Sequence, residues 1–374
     1  MITVGETTNP DTNAPYTLQE AWEASKKLGT DKVEVILKTS NDTFENDFTT
    51  VSVSGRKTVL QLTSDVKTTK QLTTKNGATV TIDISGYTFD VSRRFTLTGN
   101  GANLIFRTST ASGKILCSNT GSNEAFFPGV KANQTSTLRF VSANNDDKLL
   151  TVEASHYMFT FGNATVGNTN IHFQGGQYTS SASHSIMILN SRTDSAPSTL
   201  KIAATDAKFT MASNFIVHNA SNTAPNTGAF SMDSSIDLVG CTFEASSTVN
   251  FIGNRLQGRY FGTLSLTDCT MTNVSPNFNS LYTYVTATTD ENGETVYDSN
   301  FPYYNGEGNT TSTSNISHDY RPEAVKAGYD GTNRVFLHGY NSFAGVNSGH
   351  IRSDRTGFNA SNVKLDGHMF YASY

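Results

Sequence analysis

A strand–turn–aromatic segment that returns along the chain is the strongest constraint on its fold. Ile171-His172-Phe173-Gln174-Gly175-Gly176-Gln177-Tyr178 lines up with Ile202-Ala203-Ala204-Thr205-Asp206-Ala207-Lys208-Phe209. Further copies are Ile236-Asp237-Leu238-Val239-Gly240-Cys241-Thr242-Phe243 and Leu264-Ser265-Leu266-Thr267-Asp268-Cys269-Thr270-Met271. Their closing residues, Tyr178, Phe209, Phe243 and Met271, follow one another at intervals of 31, 34 and 28 residues. The segment Val80–Tyr87 reads as an early copy and Val363–Phe370 as the last. In a parallel solenoid each winding lies about 4.8 Å from the next, so equivalent positions stack into ladders of like residues. The Tyr/Phe/Phe/Met positions and the Ala207/Cys241/Cys269 positions are two such expected ladders, which a β-sandwich gives no reason for.

Composition points the same way. Ser and Thr make up about a quarter of the 374 residues, only 16% are charged, and the formal net charge is −5. Clear strands are expected at Val33–Leu37, Val59–Leu62, Val80–Ile84, Asn103–Phe106 and Leu138–Val141, separated by Gly, Asn, Asp and Ser. One helix is expected, from Thr17 to Leu28: Thr17-Leu18-Gln19-Glu20 forms a capping box and Gly29 follows the last turn. Leu18, Ala21, Trp22, Ser25 and Leu28 give it one apolar or small face, suited to covering the first winding. With no second helix to make crossovers, the chain must be antiparallel or a solenoid, and the repeat selects the solenoid. The expectation is one all-β domain over 1–374, a single-stranded right-handed parallel β-helix with an N-terminal capping helix. An inserted arm is expected at 276–318, where Thr283–Thr288 and Glu294–Tyr297 flank an Asn-Gly turn as a hairpin.

The opening Tyr16-Thr17-Leu18-Gln19-Glu20-Ala21-Trp22 and the strand Val33–Leu37 resemble the helix and first strand that begin many right-handed parallel β-helices of the pectin-lyase-like superfamily. Gly77-Ala78-Thr79-Val80-Thr81-Ile82-Asp83-Ile84-Ser85-Gly86-Tyr87 is similar to a segment common in secreted bacterial β-helix proteins, including surface adhesins. The resemblance covers residues 16 to 370 and implies a fold more than an activity, since such scaffolds host lyases, hydrolases, esterases, adhesins and phage tailspikes.

The residues favour binding over chemistry. Asp146-Asp147 and Ser348-Gly349-His350-Ile351-Arg352 supply the residue types of a polygalacturonase-like site, but about two hundred residues separate motifs that such enzymes keep within a coil or two. Asp354 and Arg355 complete a charged group that reads as surface salt bridges. A calcium-dependent lyase signature built on a core tryptophan is excluded, because the only tryptophan, Trp22, belongs to the helix. Asp290, Glu291, Glu294 and Asp298 read as a solvated hairpin tip, and His156, His172, His184 and His218 lack metal-ligand spacing. No catalytic residue, metal or cofactor is therefore assigned. Cys117, Cys241 and Cys269 have no C-x-x-C spacing and are expected as free thiols.

The candidate ligand-binding residues are Tyr282, Tyr284, Tyr297, Tyr303 and Tyr304 around the arm, with Arg255 and Arg259 one coil earlier. Flat aromatic faces suit sugar rings or a protein partner. The expected function is that of a secreted or cell-surface, adhesin-like domain binding a glycan or a host or cell-surface protein. The alternatives are a polysaccharide-degrading lyase or glycosidase and a phage tailspike-like protein. No basic run supports nucleic-acid binding and no apolar run is long enough for a membrane span. The N-terminus lacks an export signal, which a precursor cut upstream would explain, and the ending at Phe370–Tyr374 directly after a strand copy leaves the expectation that the parent chain continues.

Overall fold

The computed structural model describes residues 2–29, 34–40, 57–75, 77–118, 126–129, 134–143, 149–161, 167–181, 185–190, 199–219, 234–254, 263–275, 286–289, 295–298, 335–338, 341–344 and 358–360. They form an all-β, parallel solenoid-like fold. The chain divides into two compact units, one comprising 1–160, 164–183 and 203–209, the other 161–163, 184–202 and 210–374.

In the N-terminal unit the four windings that begin at Lys57–Leu62, Thr79–Asp83, Ala102–Arg107 and Thr135–Val141 each contribute one strand to each of three parallel sheets. Thr79–Asp83, Thr88–Asp90 and Phe95–Thr98 make one winding. The next begins at Ala102–Arg107, whose Asn103 pairs with Thr79 and whose Phe106 pairs with Ile82. The first sheet runs Ile2–Thr3, Glu34–Thr39, Lys57–Leu62, Thr79–Asp83, Ala102–Arg107, Thr135–Val141 and Asn168–Gln174, all in parallel register. Every strand anticipated from alternation is present here. The two-residue strand Ile2–Thr3 outside Glu34–Thr39 was not anticipated, since two residues carry no alternation to read.

Because pairing is in register, alternate residues of each strand stack in the interior. Leu37, Leu60, Ile82, Phe106, Phe140 and Phe173 form one column, each at most 1% exposed. Phe140 lies between Phe106 and Phe173, with ring centroids 5.7 and 5.5 Å away and nearly parallel planes. Rings from the facing sheets close on it edge-on: Phe126, Phe159 and Tyr178 at 5.5, 6.0 and 5.8 Å. The predicted aromatic ladder is real at Tyr178 and Phe209, whose rings stack at 5.1 Å, and the buried Tyr178 hydroxyl donates to the Gly175 carbonyl.

The helix spans Leu18–Lys26 and buries Leu18, Ala21, Trp22 and Ser25. Its capping box is formed as read, with the Glu20 N–H donating to the Thr17 hydroxyl and the Thr17 N–H donating to the Glu20 carboxylate. That N–H holds the Glu20 carboxyl below the usual carboxylate range. The helix stops two residues short of the expected Leu28. Lys27 N–H bonds the Ala24 carbonyl, a tightened last turn, so Lys27 is the cap and Gly29 is not the residue that ends it.

In the C-terminal unit Ser235–Val239, Thr263–Thr267, Val335–His338 and Phe358–Ala360 form one parallel run. Thr242–Asn250, Thr270–Ser275 and Ser342–Ala344 form a second, and Met187–Asn190, Ile216–Asn219 and Ile252–Asn254 a third. The predicted Ile236/Leu264 and Phe243/Met271 alignments are register pairs. The next winding is Val335–Ala344, a copy the spacing did not reveal, while Val363–Phe370 lies outside the described residues. Between Ser275 and Val335 the described residues form the antiparallel strand pair Thr286–Thr289/Thr295–Asp298, at the place where the hairpin is expected; the rest of 276–318 lies outside the described residues.

The turn of the repeat has a conformational cause. Gly175, Asp206, Gly240 and Asp268 hold φ of 62, 52, 62 and 54°, the left-handed region that glycine enters freely and that Asp tolerates. Asp206, Gly240 and Asp268 are each followed by a small buried residue, Ala207, Cys241 and Cys269, and Asn341, next to the Thr270 partner Ser342, is buried at the equivalent place one winding on. Asn341 accepts from the Cys269 N–H at 2.9 Å and donates to the Leu266 and His338 carbonyls at 3.1 and 2.8 Å, tying two windings at their corner.

Two predictions follow from this packing. A methyl group at Gly113 would sit 2.4 Å from the Ile84 carbonyl oxygen of the preceding winding. Gly113→Ala therefore forces backbone apart and is expected to cost about 2 kcal/mol, read as a lowered Tm; an unchanged Tm would contradict this close approach. All three cysteines are buried thiols outside any disulfide. Burial, with the Asp90 carboxylate adding to it, pushes the Cys117 thiol well above its ordinary range, which keeps it protonated and inert. Thiol titration of denatured, unreduced protein should yield all three sulfurs; one alone would mean a Cys241–Cys269 bridge.

Candidate functional site

Charges on the first sheet of the N-terminal unit are used in two different ways. Asp83, at the end of strand Thr79–Asp83, has a side chain only 3% exposed. Its Oδ1 accepts from the Ser85 hydroxyl and N–H at 2.6 and 3.2 Å. Its Oδ2 accepts from the Ser109 hydroxyl at 2.5 Å and from Arg107 Nε at 3.0 Å. Ser85 Oγ in turn accepts from the Ser109 and Thr110 N–H groups of the next winding. All lone pairs of the carboxylate are engaged, so this Asp–Ser–Arg cluster binds winding to winding and leaves no position for a reacting group.

Two windings further on the pattern changes. Arg139 and His172 are register partners on the outer face of Thr135–Val141 and Asn168–Gln174. Inward Leu138, Phe140, Ile171 and Phe173 alternate with them and are buried, so period-two geometry sends Arg139 and His172 outward. They line a groove of about 280 Å³ together with Val141, Gln174, Ala203 and Thr205. Arg139, Gln174 and Thr205 are exposed and His172 is half-buried. Unlike Arg107, Arg139 makes no ion pair among the described residues. Partial burial, and then the Arg139 guanidinium, lower the His172 pKa from its ordinary value, leaving the imidazole neutral at neutral pH.

The sign of the resulting pH dependence is set by that lowering. Below the ordinary value of 6.5 the unfolded chain takes up a proton at His172 that the folded chain refuses. The contribution of the neutral imidazole to stability is therefore complete above that pH and is lost as pH falls toward the lowered folded value. An NMR titration should place the His172 midpoint below 6.5, and Arg139→Gln should raise it; a midpoint at or above 6.5 in the unsubstituted protein would contradict the geometry.

Of the residues expected from sequence to bind ligand, Tyr297 lies in the hairpin strand Thr295–Asp298 opposite Ala287. Tyr282, Tyr284, Tyr303, Tyr304, Arg255 and Arg259 lie outside the described residues, as do Asp146, Asp147, His350, Arg352, Asp354 and Arg355. The groove was not anticipated. In sequence His172 reads only as a histidine without metal-ligand spacing, whereas its partner Arg139 is one winding away. Setting Leu138-Arg139-Phe140 beneath Ile171-His172-Phe173 is the signal that reveals the pair.

Among the described residues no group of three or more His, Cys, Asp or Glu is placed to hold a metal ion, and no helix is long and apolar enough to cross a membrane. Comparisons with family models, with curated proteins and with solved structures give no match.

Proposed function

We propose that the chain is a secreted or cell-surface right-handed parallel β-helix, of the pectin-lyase-like kind, that binds a glycan in an adhesin-like role. In this reading the helix Leu18–Lys26 covers the first winding with its buried face of Leu18, Ala21, Trp22 and Ser25. The observation that carries the binding role is the outer groove of the first sheet. A guanidinium, an imidazole, an amide and a hydroxyl converge there around short apolar side chains, on strands whose backbone groups are bound within the ladder. Such a surface offers directional donors to sugar oxygens and apolar contact to ring faces, held rigid before the ligand arrives. The Asp83 cluster supports the same reading from the other side, since its carboxylate is consumed by structure.

The test is a glycan array probed with the full chain, followed by calorimetry on the ligands retained. A parallel screen of polysaccharides reads unsaturated products by absorbance and new reducing ends. Saturable glycan binding without turnover is the expected result; robust turnover would replace the binding role with an enzymatic one.

A further inference from the structure

We propose that the groove formed by Arg139, His172, Gln174 and Thr205 is a subsite for an anionic substituent, a carboxylate or a sulfate, carried by the glycan. The inference rests on the glycan-binding reading above and adds the chemistry of the ligand.

Charge placement is the starting point. Elsewhere in this unit the windings set opposite charges in line: Lys67 against Asp90, Arg107 against Asp83, Lys114 beside Glu153. Like charges facing each other across a ladder are destabilising, which is the reason for such pairing. Thr135–Val141 and Asn168–Gln174 break the pattern. Between them they carry Arg139 and His172 and not one Asp or Glu. The two basic groups are direct register partners, and Arg139 has no carboxylate partner among the described residues. An anion seated between them would supply the missing countercharge.

Shape and donor geometry agree. A guanidinium presents parallel N–H groups matched to the two oxygens of a carboxylate or sulfate. His172 in its neutral form still donates one ring N–H, and the Gln174 amide and Thr205 hydroxyl line the same groove. Val141 and Ala203 complete the lining with apolar surface for the C–H face of a sugar ring. At about 280 Å³ the space is at the small end of small-molecule sites, suited to one ring and its charged substituent rather than to a long chain segment.

The experiment measures binding of the full chain to sialyllactose, to 6-sulfated lactose, to lactose and to sodium sulfate by calorimetry. Chemical-shift changes of the His172 ring serve as the local readout. Arg139→Gln is the test variant; the side chain is exposed and unpaired among the described residues, so the variant should fold with an unchanged Tm. The expected result is binding of at least one anionic saccharide over lactose, with the His172 ring perturbed. In Arg139→Gln that affinity should fall by about ten- to a hundredfold, the range of a charge-assisted hydrogen bond. Equal affinity for lactose and its anionic derivatives, unaffected by the substitution, would overturn the anion subsite while leaving glycan binding intact. Sulfate binding at His172 with no saccharide bound would keep the anion site and overturn the glycan reading. No perturbation of His172 by any of the four would overturn the subsite.

Discussion

Phe140→Ala is expected to lower stability by about 4 kcal/mol, the largest loss at any single side chain of the described core. Phe140 is fully buried and touches five aromatic rings, two in its own column and three from facing sheets. Truncation loses the transfer free energy of the ring and leaves a cavity that rigid neighbouring windings collapse onto poorly. The stacked contacts with Phe106 and Phe173 and the edge contact with Phe126 go at once. Phe140→Leu, which keeps most of the volume, should lose far less. Urea unfolding followed by near-UV dichroism reads both. A Phe140→Ala midpoint close to that of the unsubstituted chain would show that the aromatic column is not the core.

Asp83→Ala should cost about 3 kcal/mol, of the size seen when one partner of a buried ion pair is removed. The carboxylate accepts from Ser85, Ser109 and Arg107 across two windings, so its loss strands two hydroxyls and a guanidinium together. Glu34, by contrast, meets Arg107 only at 3.7 Å and is 38% exposed, so Glu34→Gln should change stability by less than about 1 kcal/mol. The contrast separates a structural tie from general charge loss. If both variants unfold at the same urea concentration as the unsubstituted chain, the cluster does not hold the windings together.

Much of the architecture is legible in the sequence because a solenoid writes its geometry locally and repeatedly. The corner residues Gly175, Asp206, Gly240 and Asp268 share a left-handed φ, and that requirement is what made their segments alignable. Alternation in Thr79–Asp83 or Ala102–Arg107 is equally direct, since one face must be apolar and the other need not be. Legibility fails where the signal is not local. Val335–Ala344 pairs with Leu264–Thr272, yet Asn341 and the Cys269 it binds are 72 residues apart. The long stretch of chain between Ser275 and Val335 thus breaks the spacing that exposes the other copies. Arg139 and His172 were missed for the same reason, as they meet only after the chain has made a full winding. Tyr282, Tyr284, Tyr297, Tyr303 and Tyr304 crowd together in sequence, but of these only Tyr297 falls in a described strand.

Inter-strand proton contacts across Thr135–Val141 and Asn168–Gln174, measured by NMR on deuterated, selectively protonated protein, test the stacking of windings most directly. Parallel in-register stacking predicts contacts from Thr137 to Asn170, Leu138 to Ile171, Arg139 to His172 and Phe140 to Phe173, every pair offset by 33 residues. Antiparallel pairing would make the partner's number fall as the first residue's number rises. That pattern would dissolve the aromatic column, the Arg139–His172 groove and the function proposed for it.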